Sequence, residues 1–240
     1  MLVACATAPQ RGRFGARGPS VPRRGSPRRW HHRGVFRDRD DAGKRLAAAV
    51  AERVMGPALV LGIPRGGVVV AAPVAAALGV RLDVVVPRKL RAPMNPELAI
   101  GAVAPGVQVL DERLVRLLRV DEGYVHDEVA RAEAEIGRRT ATYRGDRPPL
   151  DLAGRTAVVV DDGVATGATA IAALRWARAC GAARVVFAAP VGPPDAFARL
   201  GDECDEVLLL ETPAGFGAVG EWYERFGQVS DDQVRSALGT

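Results

Sequence analysis

Apolar residues follow two rhythms along this chain. Residues 58–63, 82–86, 157–160, 184–189 and 206–211 are short and nearly continuously apolar, which is how strands read when helices cover both faces of their sheet. Between them the spacing lengthens to that of helices. Leu46, Val50 and Val54 recur every fourth residue behind Asp38, Asp40 and Asp41, acids that suit a first helical turn. A small-residue helix is expected from Gly67 to a stop at Gly79, and a long charged helix over 121–143 with one stripe of Val125, Val129, Ala132 and Ile136. Further helices are expected over 168–180, stopping at Gly181, over 193–200, and after Ser230, which forms a capping-box pattern with Gln233. Residues 98–103 and 107–110 around Pro105-Gly106 read as a hairpin. Residues 90–97, with two prolines and no period, predict a long mobile loop. Strands alternating with helices predict an α/β fold with a doubly wound, mostly parallel, Rossmann-like sheet.

Composition changes this picture at one end only. Residues 1–35 contain eight arginines and no acid, with glycine and proline but no apolar period, so they are expected to be a disordered tail that cannot bury enough surface to fold. Removing those eight from the 33 basic side chains leaves 25 against 28 acids, a net of −3. The high isoelectric point therefore belongs to the tail, which argues against a nucleic-acid-binding protein. The arginine pairs at 23–24 and 28–29 are followed by no hydrophobic segment, so export is not expected, and the tail is read as a mis-assigned start, with the natural one near Val35. Residues 36–240 form the folded domain. Three scattered cysteines give neither a disulfide framework nor a zinc site and fit a reducing, cytoplasmic setting. No apolar run is long enough to span a membrane. Glu122, His126, Glu133 and Glu135 form no compact ligand set and are read as a solvated helix face.

Candidate chemistry concentrates in residues 158–170, Val-Val-Val-Asp-Asp-Gly-Val-Ala-Thr-Gly-Ala-Thr-Ala. An apolar strand ends in Asp161 and Asp162, at the sheet edge where open α/β sheets bind ligands. Two carboxylates there suit vicinal hydroxyls or a hydrated cation. The small residues Gly163, Ala165, Thr166, Gly167, Ala168 and Thr169 let backbone amides and two hydroxyls approach an anion at a helix start. A sugar at one end and its phosphate at the other would fill such a site.

This stretch resembles the signature of type I phosphoribosyltransferases, in which the acids hold the ribose hydroxyls of 5-phosphoribosyl 1-diphosphate (PRPP) and the loop holds its 5-phosphate. A second motif, Ile63 through Pro64, Arg65, Gly66 and Gly67 to Ala72, resembles the pyrophosphate loop of the same family, where glycines admit the diphosphate and an arginine supplies a fork of donors. The resemblance also implies a non-proline cis bond at Pro64-Arg65, and a flexible loop carrying Arg88 and Lys89, with Arg91 as a further candidate, that closes over PRPP. It implies a hood at about 212–226, where Phe216, Trp222, Tyr223 and Phe226 would stack on a nucleobase or form a hydrophobic plug.

The activity implied is transfer of phosphoribose from PRPP to a nitrogenous base with release of pyrophosphate, by a homodimer in nucleotide salvage. Magnesium would be the cofactor, contacting Asp161 and Asp162 indirectly. Arg65, Arg88 and Lys89 would act on the leaving group, and Asp161 and Asp162 would orient ribose. Two departures bear on the acceptor. Ala165 stands where the 6-oxopurine enzymes of the family carry a third Asp, and Ala188 or Ala189 where they carry a purine-reading Lys. A PRPP-binding sensor without transferase activity is the competing reading.

Overall fold

The computed structural model describes residues 36–148 and 150–240. The tail over 1–35, with the expectations of disorder and of a start near Val35, lies outside them. In chain order come α1 (Arg39–Ala51), β1 (Ala58–Gly62), α2 (Gly66–Leu78), β2 (Leu82–Val84), β3 (Arg88–Ala92), β4 (Asn95–Ala104), β5 (Val107–Leu110) and α3 (Glu112–Leu117). They are followed by α4 (Glu122–Arg144), β6 (Thr156–Val160), α5 (Ala168–Ala179), β7 (Arg184–Val191), α6 (Ala196–Gly201), β8 (Glu206–Glu211), a 3₁₀ turn (Val219–Trp222) and α7 (Asp231–Leu238).

The five runs read as buried strands form one parallel sheet in the order β2-β1-β6-β7-β8. Alternation along them divides the core in two. Leu59, Leu61, Ala157, Val159, Val185 and Phe187 pack with Leu174 of α5 and Leu200 of α6. Val60, Val158, Val160 and Val186 pack on the other face with Leu46 and Val50 of α1 and Val70 and Val74 of α2. Each fully buried side chain of this size contributes about 1.5–3 kcal/mol, which fixes the sheet as a rigid floor beneath its loops. The α/β, doubly wound expectation holds.

Strand order matters to function. From β1 the chain winds outward to β2, whereas β6 leads to β7 and β8 on the other side. The carboxyl ends of β1 and β6 are therefore a topological switch point, where loops diverge and leave a crevice. Ile63 N–H donates to Val160 O at 2.8 Å, so the two motifs leave the sheet side by side.

The stretch expected to be an irregular loop over 90–97 is mostly strand. β3, β4 and β5 form a separate antiparallel sheet in that order, and Pro93 and Met94 make the turn between β3 and β4. Arg91 pairs with Ala99 and Ala92 with Asn95, so residues 96–98 bulge out of the ladder. Pro96 is tolerated in a central strand because it sits in that bulge. This sheet, α4 and α7 close on the β2 edge through Leu90, Ile100, Ile136, Tyr143, Val234 and Leu238. Asp83, fully buried there, accepts from Arg81 at 2.6 Å and from Arg144 of α4 at 2.9 Å.

A fourth cluster joins the start of the described chain to the segment after the 3₁₀ turn. Phe36 N–H donates to Trp222 O at 3.0 Å and Glu224 N–H to Phe36 O at 2.8 Å. Phe36 and Tyr223 pack with Val191, and the Phe36 and Tyr223 ring centroids are 5.5 Å apart.

Candidate active site

Two loops meet at the switch point. The first is Pro64 to Gly67, entered through a cis Pro64-Arg65 bond, as the family resemblance implied. The second runs from Asp161 to Thr169. Glycine is required where they touch. A Cβ on Gly66 would lie 1.9 Å from Asp162 Oδ2, and one on Gly67 would lie 2.7 Å from Val160 O and 2.8 Å from Asp161 Cα.

The helices that follow these loops have free starts. α1, α3, α4 and α7 are each capped by a side chain, Asp38, Asp111, Asp121 and Ser230 respectively. α2 and α5 have no side-chain cap, and Gly167 opens α5 at φ 83°. Unsatisfied N–H groups and the positive ends of two helix dipoles thus face one crevice, as anion binding needs. Arg199 Nη2 donates to Ala165 O at 2.7 Å and holds the second loop against α6.

The two acids have different surroundings. Asp161 is partly buried, and desolvation, followed by the adjacent Asp162 charge, pushes its carboxyl well above the usual carboxylate range. An Asp162 N–H donated to it at 2.8 Å and the Lys89 charge oppose this shift. Asp162 faces a cation: Arg39 Nε donates to its Oδ2 at 2.7 Å. Arg39 Nη1 donates to Gly227 O at 2.8 Å, and its guanidinium lies 3.8 Å from the centroid of the Phe226 ring. Tyr223 O–H donates to Asp162 O at 2.6 Å. Burial raises the Tyr223 phenol, so it stays a donor.

Of the cationic candidates, Arg88, Lys89 and Arg91 share one cavity and Arg65 does not line it. Pro64, Arg88, Lys89, Arg91, Arg139 and Thr169 are among the residues enclosing a cavity of about 340 Å³. Lys89 also borders a cavity of about 530 Å³ that includes Thr166, Ala168 and Ile171. Burial, then the Arg139 charge, lowers the Arg88 pKa. Arg65 leans toward the far end of the site, with Nη1 3.9 Å from Asp231 Oδ1 at the start of α7. Tyr143 O–H donates to the same Asp231 oxygen at 2.7 Å. A further cavity of about 470 Å³, beside Pro105, Ile136 and Thr140, shares no lining residue with either loop.

The structure therefore brings Gly66 and Gly67 against Asp162 and Asp161, and sets Arg88, Lys89 and Thr169 around one cavity. Sequence reading missed Arg39, Arg139 and Asp231. Arg39 sat in a helix assigned only a packing role, and Arg139 on a face read as solvated. Of the aromatics at 212–226, Tyr223 is buried, and Phe226 lies between Arg39 and Tyr223, whose ring centroid is 5.0 Å away. Ala188 and Ala189 are fully buried in β7.

A family model described as phosphoribosyl transferase domain matches residues 38–219. The chain belongs to this family, and its sheet and loops are those of the type I phosphoribosyltransferase fold. Two proteins of Mycobacterium tuberculosis, from strains CDC 1551 / Oshkosh and ATCC 25618 / H37Rv, each bear the name "putative phosphoribosyl transferase" and are 50% identical to it over 206 residues. That alignment takes in 85% of this chain and 46% of each relative, so the chain spans about half the length of these curated relatives. The crystal structure of TT1426 from Thermus thermophilus is 46% identical, with a TM-score of 0.73 over 85% of this chain and 97% of that one. Among the described residues no helix is long and apolar enough to cross a membrane.

Proposed function

We propose that the protein transfers phosphoribose from PRPP to a nitrogenous base and releases pyrophosphate. The observation that carries this reading is the contact of the two glycines with the two acids. A ribose on the acids would then have its diphosphate at the start of α2 and its 5-phosphate at the start of α5. In this reading Asp161 and Asp162 accept from ribose hydroxyls, and the amides of residues 165–169 with the Thr166 and Thr169 hydroxyls hold the 5-phosphate. Arg65, Arg88 and Lys89, with the amides of Gly66 and Gly67, take the diphosphate. As the bond from the anomeric carbon to the diphosphate breaks, positive charge grows on the sugar and negative charge on the leaving group. The cations stabilise the latter, and a closed β3–β4 hairpin excludes water from the former. A ring nitrogen of the base then bonds to the anomeric carbon.

Magnesium belongs to the same reading. Asp162 is paired with Arg39, Asp161 is partly buried, and among the described residues no group of three or more His, Cys, Asp or Glu could hold a metal ion. This donor set fits a magnesium ion that arrives with the diphosphate and touches the acids through water. When bound, the ion would neutralise charge on the leaving group. Alanine at 165, 188 and 189 steers the acceptor away from guanine and xanthine. A role in nucleotide salvage, a cytoplasmic setting and a homodimer complete the proposal.

Incubation with PRPP, magnesium and a mixture of adenine, pyrimidines and other nitrogenous bases tests it by pyrophosphate release. Turnover with one base is the expected result. Tight PRPP binding without turnover on any base would give the sensor instead, and no PRPP binding would overturn both.

A further inference from the structure

Arg88, Lys89 and Arg91 of the basic cavity come from β3, and one further cation, Arg139, comes from α4. α4 is strongly charged, and two neighbouring arginines on it share Glu135: Arg138 Nε donates at 2.8 Å and Arg139 Nε at 2.6 Å. Their settings differ. Arg138 is 61% exposed, whereas Arg139 is 30% exposed and lines the cavity with Arg88, Lys89, Pro64 and Thr169.

The cavity is unbalanced in charge. Along β3, alternation puts Arg88 on the side of the fully buried Leu90, the side that packs against α4. No described carboxylate forms an ion pair with Arg88 or Lys89; Glu135 and Glu128 act on Arg88 only from a distance. Glu135 engages Arg139 through Nε, and the two Nη groups of Arg139 have no hydrogen bond among the described residues. Like charges gathered in a partly buried pocket repel and lose hydration. A fold keeps them there at lower cost when a polyanion occupies the space between them. Pro64 of the first loop and Thr169 of the second also line the pocket, and its volume lies within the range of small-ligand sites.

We propose that Arg139 is a direct diphosphate-binding residue, supplied by α4 to complete the cavity formed by Arg88, Lys89 and Arg91. The proposal rests on the PRPP reading above and adds to it a contact from α4, outside both loops and β3. Glu135 acts as the positioning residue, fixing Nε so that the Nη fork faces the cavity. Diphosphate is the ligand class because a guanidinium fork matches paired phosphate oxygens.

Calorimetric titration of the full chain with sodium pyrophosphate and magnesium tests this without knowledge of the acceptor. Arg139→Ala is expected to weaken pyrophosphate binding about tenfold or more, the scale of a lost charge-assisted hydrogen bond. Arg138→Ala removes the same charge from the same Glu135 and is expected to change binding less than about twofold, as a surface pair would. Arg139→Lys, which keeps charge but loses the fork, should fall between them. Far-ultraviolet circular dichroism and the unfolding midpoint check the fold, and Arg139→Gln replaces Arg139→Ala if the alanine variant fails to fold. Equal effects at 138 and 139, or no effect at 139, would overturn the role of Arg139 while leaving the transferase reading intact. Wild-type protein that binds neither pyrophosphate nor PRPP would remove both.

Discussion

Arg39 Nε donates to Asp162 Oδ2 at 2.7 Å across 123 residues of sequence, joining the first turn of α1 to the second of the two acids that follow β6. Both side chains are mostly buried, and Phe226 and Gly227 O fix the guanidinium from the other side. Removing it strands a carboxylate beside Gly66. Arg39→Met is expected to lower stability by about 1–3 kcal/mol, read as a shift in urea midpoint at constant slope. The same variant should change PRPP affinity, because the acid proposed to meet the ribose has lost its partner. An unchanged midpoint together with unchanged PRPP binding would show the pair to be incidental.

Gly66→Ala tests the junction of the loops more directly. The added Cβ would sit 1.9 Å from Asp162 Oδ2 and 2.7 Å from Arg39 Nε, so loop or acid must move. PRPP affinity is expected to fall at least about tenfold, since displacements near 1 Å at a positioned site cost on the order of 100-fold. Gly137→Ala, on α4 with open space around its Cβ, is the matched control and should bind PRPP like wild type. Equal affinity for all three proteins would mean that ligand does not use this junction.

Asp161 is expected to make stability fall as pH rises. Its carboxyl is raised in the folded protein, so between the ordinary carboxylate value and the raised one the folded state binds more protons than the unfolded state. Stability from this group is full below the ordinary value and is lost as pH rises through the raised one. Urea unfolding of the ligand-free protein across that window should show the decline, and Asp161→Asn, which cannot ionise, should flatten it. A wild-type profile as flat as that of the variant would exclude the effect.

The Asp83 cluster ties α4 to the main sheet. Asp83 is fully buried, accepts from Arg81 and Arg144, and has Arg147 Nη1 3.9 Å away. Asp83→Ala leaves these guanidinium groups with no buried anion, which costs about 3–5 kcal/mol. Because α4 carries Arg139, pyrophosphate binding should weaken along with thermal stability. A loss of stability with pyrophosphate affinity intact would separate the anchor of α4 from the site.

Much of the site was legible in the sequence because it is written in contiguous backbone. Residues 58–63 and 157–160 are apolar at nearly every position, so their strand character and burial follow locally. Gly66, Gly67, Gly163 and Gly167 mark where the main chain approaches something closely. The proline-containing stretch after Leu90 misled, because its pairing is set by β4 and β5 rather than by its own propensity, and a bulge removes the objection to Pro96.

The sequence by itself determined the sheet-and-helix alternation, the two loops of small residues and the acids at a strand end, since each depends on neighbours within a few residues. Only the tertiary structure decided the strand order that sets β1 beside β6, the partner of Asp162, the placement of Arg139 at a cavity and the partial burial of Asp161. Those depend on groups about 50 to 190 residues apart meeting in space, and a side chain's charge, burial and counterion are properties of that meeting rather than of the residue.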